Sequence, residues 1–325
     1  MRGLQPLNQP GRRALSLLLL GLVVFTLVAC RRASQVRLTE RDETLSLHHA
    51  DRERSFILHR PTAAASGTAR PLLIVMHGGG GDARGIIDIT RGRFNELADA
   101  ENFYVVYPQG VDKSWNDGRV DVRSTAHKEN IDDVGFLKQM IETIAANHTI
   151  DRTRVFATGI SNGGFMSYRL ACELSGTVRA VAPVTAQLSK DLLPDCKPNQ
   201  PVGVLMINGT LDPLVPYDGG TVEVFWTSRG EIISTDDTLK FWAAHNTCAG
   251  EPIVTELPDR DPADETRVDR VTYARCVGAP VALLRVRGGC HTWPGGQPFL
   301  TERLVGKVSN DIVACDEIWN FFRSM

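Results

Sequence analysis

The sequence predicts an α/β fold in which a mostly parallel central sheet is covered by helices on both faces. Strand-like apolar runs alternate along the chain with stretches of helical spacing, which is the order of elements expected for such a sheet. Residues 72–76 are continuously apolar, as strands buried on both faces are. Of 325 residues, 42% are apolar and 23% are charged, so the chain can bury a sizeable core.

Local patterns predict the individual elements. Residues 44–58 have the composition of a strand hairpin with a polar turn. Residues 131–147 place apolar side chains at helical intervals, with Asp132 or Asp133 as the N-cap. The other predicted strands are 72–76, 103–107, 154–158, 178–184, 202–207 and 281–286. The other predicted helices are 94–102, 162–174, 235–245 and 311–322.

The N-terminus has the pattern of an export signal. Three arginines precede an apolar run at residues 14–28, a length typical of a signal peptide and short for a membrane span. The run ends at Ala29-Cys30, and a small residue directly before a cysteine resembles a bacterial lipobox. We therefore expect a lipoprotein signal peptide at residues 1–29 and lipidation of Cys30; a plain secretory peptide is the alternative.

We expect one large domain after the signal peptide. Residues 30–43 are a polar tether, and residues 44–325 contain neither an internal repeat nor a linker, with the acidic stretch 256–265 as a surface insertion. A net charge of −2 provides no basic field for nucleic acid. The expected location is therefore an exported form anchored to a membrane by its lipid, on the periplasmic or extracellular side.

The cysteines agree with export. Six of them follow Cys30, and an even number in an exported chain predicts disulfides. No spacing typical of zinc ligands is present, so no metal is expected. Sequential pairing closes three short local loops, although some cysteines could be free buried thiols. The predicted pairs are Cys172–Cys196, Cys248–Cys276 and Cys290–Cys315.

The sequence GISNG at residues 159–163 fits the G-x-S-x-G motif. Alone the motif is weak, but here it follows an apolar strand and begins a helix, which is the setting of a nucleophile elbow. In that turn the serine has a strained backbone, and side chains at the flanking positions would collide, so glycines occupy them. The pattern predicts that Ser161 is a nucleophile; an ordinary glycine-rich turn is the alternative.

A serine nucleophile needs a base and an acid, which follow it in this type of fold. Of the histidines only His245 and His291 come after Ser161, and only His291 lies in a loop directly after a predicted strand. Asp212 also follows a strand and can hold the imidazole in the correct tautomer. Asp218 is a competing candidate for the acid.

The tetrahedral intermediate needs two N–H donors. The backbone N–H of Asn162 would be one, and a glycine of the run 78–81 would be the other, with Gly79 as our choice. A phosphate-binding loop is less consistent with the sequence, because no G-K-[ST] is present and no helix is predicted directly after the run. Trp115 and Trp293 are candidates for walls of the substrate site, with packing as the alternative.

Six motifs in this order resemble the bacterial polyhydroxybutyrate depolymerase and feruloyl esterase group of the α/β-hydrolases. They are MHGGGGD (76–82), SWN (114–116), DDVGF (132–136), GISNGG (159–164), GTLDP with VPY (209–217) and GCHTWPG (289–295). The resemblance covers residues 50–323. It implies that Ser161 is the nucleophile, Asp212 the acid and His291 the base. One departure is Cys290, where a glycine is more usual.

The combined interpretation is a secreted, lipid-anchored serine esterase that needs no cofactor. Its expected substrates are hydroxyalkanoate oligomers or feruloyl or acetyl esters. A disulfide between Cys290 and Cys315 would hold the histidine loop against the last helix. The alternatives are an acyltransferase or peptidase with the same triad, or a non-catalytic surface lipoprotein.

Overall fold

The centre of the molecule is a ten-stranded sheet, seen in a computed structural model that describes residues 35–62, 67–120, 122–224 and 226–325. The six middle strands are parallel, and two antiparallel strands lie at each edge. The predicted mostly parallel sheet is therefore confirmed. Across the sheet the strands are β1 (Asp42–His49), β2 (Arg52–His59), β4 (Tyr104–Pro108), β3 (Arg70–Met76), β5 (Ile150–Ile160), β6 (Ala180–Val184), β7 (Gly203–Gly209), β14 (Val281–Arg287), β12 (Arg267–Thr272) and β11 (Ile253–Glu256).

Two short ribbons and a set of helices complete the described part of the chain. The ribbons are β8 (Gly220–Val224) with β9 (Thr227–Ile232), and β10 (Cys248–Ala249) with β13 (Arg275–Cys276). The helices are α1 (Ala83–Ile89), α2 (Arg93–Glu101), α3 (Thr125–Lys128), α4 (Asp133–Asn147), α5 (Asn162–Glu173), α6 (Thr235–His245), α7 (Glu302–Val305) and α8 (Ala314–Phe322). Short 3₁₀ turns lie at Val111–Lys113, Leu193–Asp195 and Pro262–Asp264.

Helices bury both faces of the sheet. Every residue of β3 and β7 is buried, as continuous apolar sequence predicts. Leu72, Ile74 and Met76 belong to a core cluster that includes side chains of α4, α5 and α6. Aromatic side chains from α8 form a second buried layer, in which the Trp319 ring stacks on Phe103 with centroids 3.6 Å apart.

Local rules predicted several boundaries correctly. The hairpin of β1 and β2 is present, with its turn at Ala50 and Asp51. The Asp132 side chain caps α4 by accepting the Gly135 N–H at 2.8 Å. Helix α1, in contrast, was not predicted: it begins at Ala83, directly after the glycine run, and Asp82 caps it. The argument that no helix follows that run is therefore wrong.

Two of the three predicted disulfides are present. Cys172 is bonded to Cys196, and Cys248 to Cys276. The prediction of a Cys290–Cys315 bond is wrong, because both are free thiols. Their sulfurs face different surroundings: Cys315 is buried against the Trp293 side chain, whereas Cys290 lies near the Gly288 carbonyl oxygen at 3.7 Å.

Residues 38–325 form one compact unit. The predicted signal peptide and Cys30 lie outside the described residues. Within those described, no helix combines the length and the apolar character needed to cross a bilayer. The acidic stretch 256–265 connects β11 to β12 at the sheet edge, and most of it is exposed.

The free thiols give a direct test of the disulfide pattern. Burial raises the pKa of both Cys290 and Cys315, and Cys315 is fully enclosed, so neither thiolate is abundant at pH 8. We expect iodoacetamide to modify both cysteines in the unfolded, unreduced protein, and Cys290 before Cys315 in the folded protein. Peptide mass mapping measures this. Labelling of any of the four bridged cysteines without reductant would contradict the observed pairing.

Candidate active site

Ser161 occupies the tight turn between β5 and α5. Its backbone has φ 54° and ψ −120°, a conformation that costs a non-glycine residue about 1–3 kcal/mol. A Cβ on Gly159 would come within 2.6 Å of the Gly163 backbone, and one on Gly163 within 2.5 Å of the Met76 carbonyl oxygen. The two glycines therefore allow the close backbone approach that the strained serine requires, as the motif predicts.

Asp212 and His291 are brought together by the loops that follow β7 and β14. The carboxylate oxygen Oδ2 of Asp212 lies 2.7 Å from Nδ1 of His291, and both side chains are buried. The other oxygen, Oδ1, accepts the backbone N–H groups of Leu214 and Val215 at 2.9 and 2.8 Å. The carboxylate is thus fixed in direction, and Nε2 of His291 has no hydrogen-bond partner among the described residues.

These two loops also bind each other through the backbone. The N–H of Leu211 donates to the carbonyl of Gly289 at 2.9 Å, and the N–H of Thr210 donates to Val286 at 3.0 Å. The Asp212–His291 pair is therefore supported by hydrogen bonds on both sides. Asp218, the competing candidate, is not the partner of the imidazole, and His245 lies on α6 with its ring near the Gln200 carbonyl.

Ser161 lies at the same edge of the sheet as this pair. The β5–β6–β7 register pairs Ile160 with Val184 and Val184 with Ile207, so the elbow is level with the end of β7. Within the described chain the Ser161 hydroxyl makes no hydrogen bond to His291. The structure thus joins Asp212 to His291 and places Ser161 at the same edge of the sheet without a hydrogen bond to the imidazole. Catalytic hydrogen bonds are often long in the absence of substrate and tighten when it binds.

The glycine run lies beside the elbow. A Cβ on Gly79 would be 3.7 Å from Cβ of Asn162, and one on Gly78 would be 3.6 Å from Cβ of Ser161. The N–H of Gly80 donates to Lys113 and that of Gly81 to Gly78. Gly78 and Gly79 are consequently the residues of this run whose N–H groups have no backbone acceptor in the described structure. The geometry therefore does not distinguish Gly79 from Gly78 as a donor, and the choice of Gly79 stays a prediction.

His77 is hydrogen-bonded to the glycine run and has one protonation state, the neutral one, at pH 7. Its Nε2 accepts the Gly110 N–H at 3.0 Å, so the proton is on Nδ1, which donates to the Gly78 carbonyl at 2.8 Å. Burial disfavours the charged ring and lowers the pKa of His77 to about 4. The histidine is therefore neutral at pH 7 and uses both nitrogens within the loop.

The prediction that Trp115 and Trp293 form walls of the substrate site is wrong for this structure, because both are fully buried. The Trp115 indole N–H donates to the His77 carbonyl at 3.0 Å. Trp293 packs edge-on against Phe94, with ring centroids 6.0 Å apart. Both side chains therefore pack inside the protein, which was the alternative for these residues.

A buried polar cluster beneath the elbow was not predicted from the sequence. It consists of Asp117, Arg119, His127 and the side chain of Asn162. The Asp117 carboxylate accepts hydrogen bonds from the other three. The one signal for it is the position of Asp117 directly after the SWN motif, and that signal does not indicate its partners.

A cavity of about 260 Å³ lies elsewhere, at the amino-terminal ends of β3 and β5, and Arg70, Arg154 and Trp319 are among its lining residues. Because the elbow is at the carboxyl end of β5, this cavity is at the opposite edge of the sheet from Ser161. It takes no part in the arrangement described above.

The neutral state of His77 predicts a pH dependence of folding. Its pKa in the folded protein lies below the ordinary 6.5, so the unfolded chain binds a proton that the folded chain excludes. The contribution of neutral His77 to the free energy of unfolding is therefore fully present above pH 6.5. It is lost as the pH falls toward 4, which lowers the free energy of unfolding by up to about 3 kcal/mol. Urea unfolding at pH 7.0 and 4.5 measures this effect. The free energy of unfolding should fall less between the two pH values for His77→Gln than for wild type, and an equal fall would contradict the prediction.

The chain resembles known esterases in sequence and in fold. No protein-family model matches it. A protein of Nocardia uniformis subsp. tsuyamanensis named as an esterase, NocK, is 30% identical over 307 residues, which cover 91% of this chain and 86% of that protein. Feruloyl esterase B of Piromyces equi is 31% identical over 169 residues, which cover 51% of this chain and 30% of that protein.

The fold comparison agrees with the sequence comparison. Acetyl xylan esterase from Aspergillus awamori superimposes on 87% of this chain, over its own full length, with a TM-score of 0.56 at 12% identity, which shows a shared fold. Since the sequence match with NocK extends over most of both chains, the predicted resemblance to esterases is confirmed. The chain therefore belongs to a family of carboxylic ester hydrolases, the esterases, and has the α/β-hydrolase fold.

Proposed function

We propose that this esterase is an exported, lipid-anchored enzyme that acts through a Ser161–His291–Asp212 triad and an acyl-enzyme. The observation that carries the proposal is the 2.7 Å hydrogen bond between buried Asp212 and His291, at the sheet edge where the strained Ser161 lies. A buried carboxylate that holds an imidazole by Nδ1 leaves Nε2 free to act as a base.

Acylation would proceed from these groups. His291 Nε2 removes the proton from the Ser161 hydroxyl as its oxygen attacks the ester carbonyl carbon. The resulting imidazolium is stabilised by Asp212, whose two backbone hydrogen bonds keep its charge aimed at Nδ1. The tetrahedral intermediate then expels the alcohol oxygen, which takes the proton from His291. The products are the free alcohol and an acyl-Ser161 ester.

The oxyanion would be stabilised by backbone N–H groups on either side of Ser161. Asn162 is the first residue of α5, so its N–H has no acceptor within the helix. Gly79 supplies the second donor from the run beside Asn162. One such donor contributes about 10²- to 10³-fold to turnover. Water then attacks the acyl-enzyme by the same route and releases the acid.

For the substrate we propose an ester of an aromatic acid of the feruloyl type. The support is the name of the Piromyces equi relative, feruloyl esterase B, which matches half of this chain. Acetyl esters and hydroxyalkanoate oligomers are the competing classes, and the triad chemistry is identical for all three. A panel of esters therefore distinguishes them by kcat/KM.

Export is supported by chemistry within the described residues and by the sequence before them. The two disulfides are typical of proteins that fold in an oxidising compartment. The Ala29-Cys30 pair after the apolar run would place a lipid on Cys30. Several acyl chains at about 0.8 kcal/mol per buried methylene group would hold the enzyme at a membrane surface.

The nucleophile is tested by Ser161→Ala. If Ser161 belongs to the triad, kcat should fall by about 10⁶-fold on every ester that the wild type hydrolyses, with folding unchanged. The measurement is turnover on methyl ferulate, p-nitrophenyl acetate and a hydroxybutyrate dimer. Ser175→Ala is the matched control, because Ser175 is a buried serine that bonds Asn199. Substantial turnover by the alanine variant at position 161 would sink the proposal.

The anchor is tested by Cys30→Ala in the full chain. We expect the variant to leave the membrane fraction while its kcat on soluble esters stays equal to that of wild type, since the lipid takes no part in the chemistry. Fractionation and mass spectrometry of the mature N-terminal peptide measure this. Retention of an unlipidated wild-type chain in the soluble fraction would show that Cys30 carries no anchor.

A further inference from the structure

We infer that residues 110–119, which we call the clamp loop, set the position of both oxyanion donors, and that Asp117 is the positioning residue of this loop. The inference rests on the proposed function, since it assigns the N–H groups of Asn162 and Gly79 to the oxyanion. It adds a role for Asn162, the second variable residue of the GISNG motif, whose side chain is hydrogen-bonded to the clamp loop.

The clamp loop saturates the side chain of Asn162. Oδ1 accepts the Trp115 N–H at 2.8 Å and the Ser114 hydroxyl at 3.3 Å. Nδ2 donates to the Trp115 carbonyl at 3.0 Å and to Oδ2 of Asp117 at 2.6 Å. An amide has two donor hydrogens and two acceptor lone pairs, and all four are used. The clamp loop therefore fixes the side chain of Asn162, the residue whose N–H is the first proposed oxyanion donor, through all four of its hydrogen-bonding positions.

The same loop holds the glycine run on the other side of the elbow. The Lys113 carbonyl accepts the Gly80 N–H at 2.8 Å. The Gly110 N–H donates to Nε2 of His77 at 3.0 Å, and the Trp115 indole donates to the His77 carbonyl. One short segment thus binds both halves of the proposed oxyanion hole, so the distance between the two donors depends on its conformation.

Asp117 holds the clamp loop in this conformation through charge. Its carboxylate is 1% exposed and receives Arg119 Nε at 3.1 Å on each oxygen, Arg119 Nη2 at 2.6 Å and His127 Nε2 at 3.0 Å. Burial alone would raise the pKa of Asp117, but Arg119 and His127 together hold it well below its ordinary value. The carboxylate therefore stays ionised and presents a charged acceptor to Asn162.

Arg119 is itself fixed on two further sides. Its guanidinium lies over the Phe165 ring at 4.0 Å, and Nη1 donates to the Arg229 carbonyl in β9 at 2.8 Å. Phe165 is in the helix that Asn162 begins. The Arg119 guanidinium, which binds the Asp117 carboxylate, therefore also packs on α5. The cluster thus contacts this helix at both Asn162 and Phe165.

A double-mutant cycle tests the inference. Asp117→Asn removes the charge at nearly constant volume, and Asn162→Ala removes the amide but keeps the backbone N–H. Because a misplacement of about 1 Å can cost 10²-fold in rate, we expect each variant to lower kcat by about 10²-fold while KM changes by less than about threefold. If Asp117 acts through Asn162, the double variant should lose no more than Asn162→Ala alone.

A second readout separates positioning from general destabilisation. A trifluoromethyl ketone forms an adduct with the serine that carries an oxyanion, so its affinity should fall in parallel with kcat/KM in both single variants. Asp42→Asn is the matched control, because Asp42 is another buried carboxylate paired with a histidine, His59, and it lies at the start of β1. It should lower stability without changing inhibitor affinity.

Three outcomes would overturn the inference. Losses that multiply in the double variant would mean that Asp117 does not act through Asn162. Full kcat in Asn162→Ala would show that the side chain of Asn162 is not needed for positioning. This result would hold even if Asp117→Asn does not fold, because Asn162→Ala leaves every charge in place. Unchanged inhibitor affinity in the single variants would also contradict it. Ser161→Ala in the same series separates these results from failure of the triad itself.

Discussion

The strained backbone of Ser161 is the constraint on which the rest of the site depends. Its backbone conformation is unfavourable by about 1–3 kcal/mol. Two hydrogen bonds hold it: the Ser161 N–H donates to the Val184 carbonyl, and the Ser161 carbonyl accepts the N–H of Phe165 in α5. The turn places the hydroxyl at one point above the carboxyl edge of the sheet. In the proposed mechanism the Asn162 N–H follows directly in the chain, whereas the base, the acid and the second oxyanion donor come from separate loops.

The parallel sheet makes this delivery possible over long stretches of sequence. Strands β5, β7 and β14 end at the same edge, so Ser161 lies on the same side of the sheet as the Asp212–His291 pair although 130 positions separate Ser161 from His291. The acid and base loops then stabilise each other through Leu211 and Gly289. Rigid strands therefore set the coarse position of each group, and loop-to-loop hydrogen bonds set its final direction.

The sequence was informative wherever a feature depends on residues a few positions apart. The elbow glycines, the Asp132 cap and the two local disulfides are of this kind. It was misleading where distant loops pack together: Trp115 and Trp293 are buried by segments that follow other strands, and Cys290 and Cys315 face different neighbours. The partners of Asp117 come from three parts of the chain, and no pattern in any one of them indicates the others.

The ionic cluster next to the elbow is not the arrangement that would stabilise the fold most. Burying a carboxylate costs several kcal/mol, and well-packed apolar side chains of similar volume often stabilise a protein as much or more. Apolar contacts, however, have no preferred direction, whereas the clamp that we propose requires a defined orientation of the Asn162 amide. Arg119 and His127 offset the cost of the Asp117 charge, and the fixed geometry of their hydrogen bonds provides the direction that apolar packing lacks.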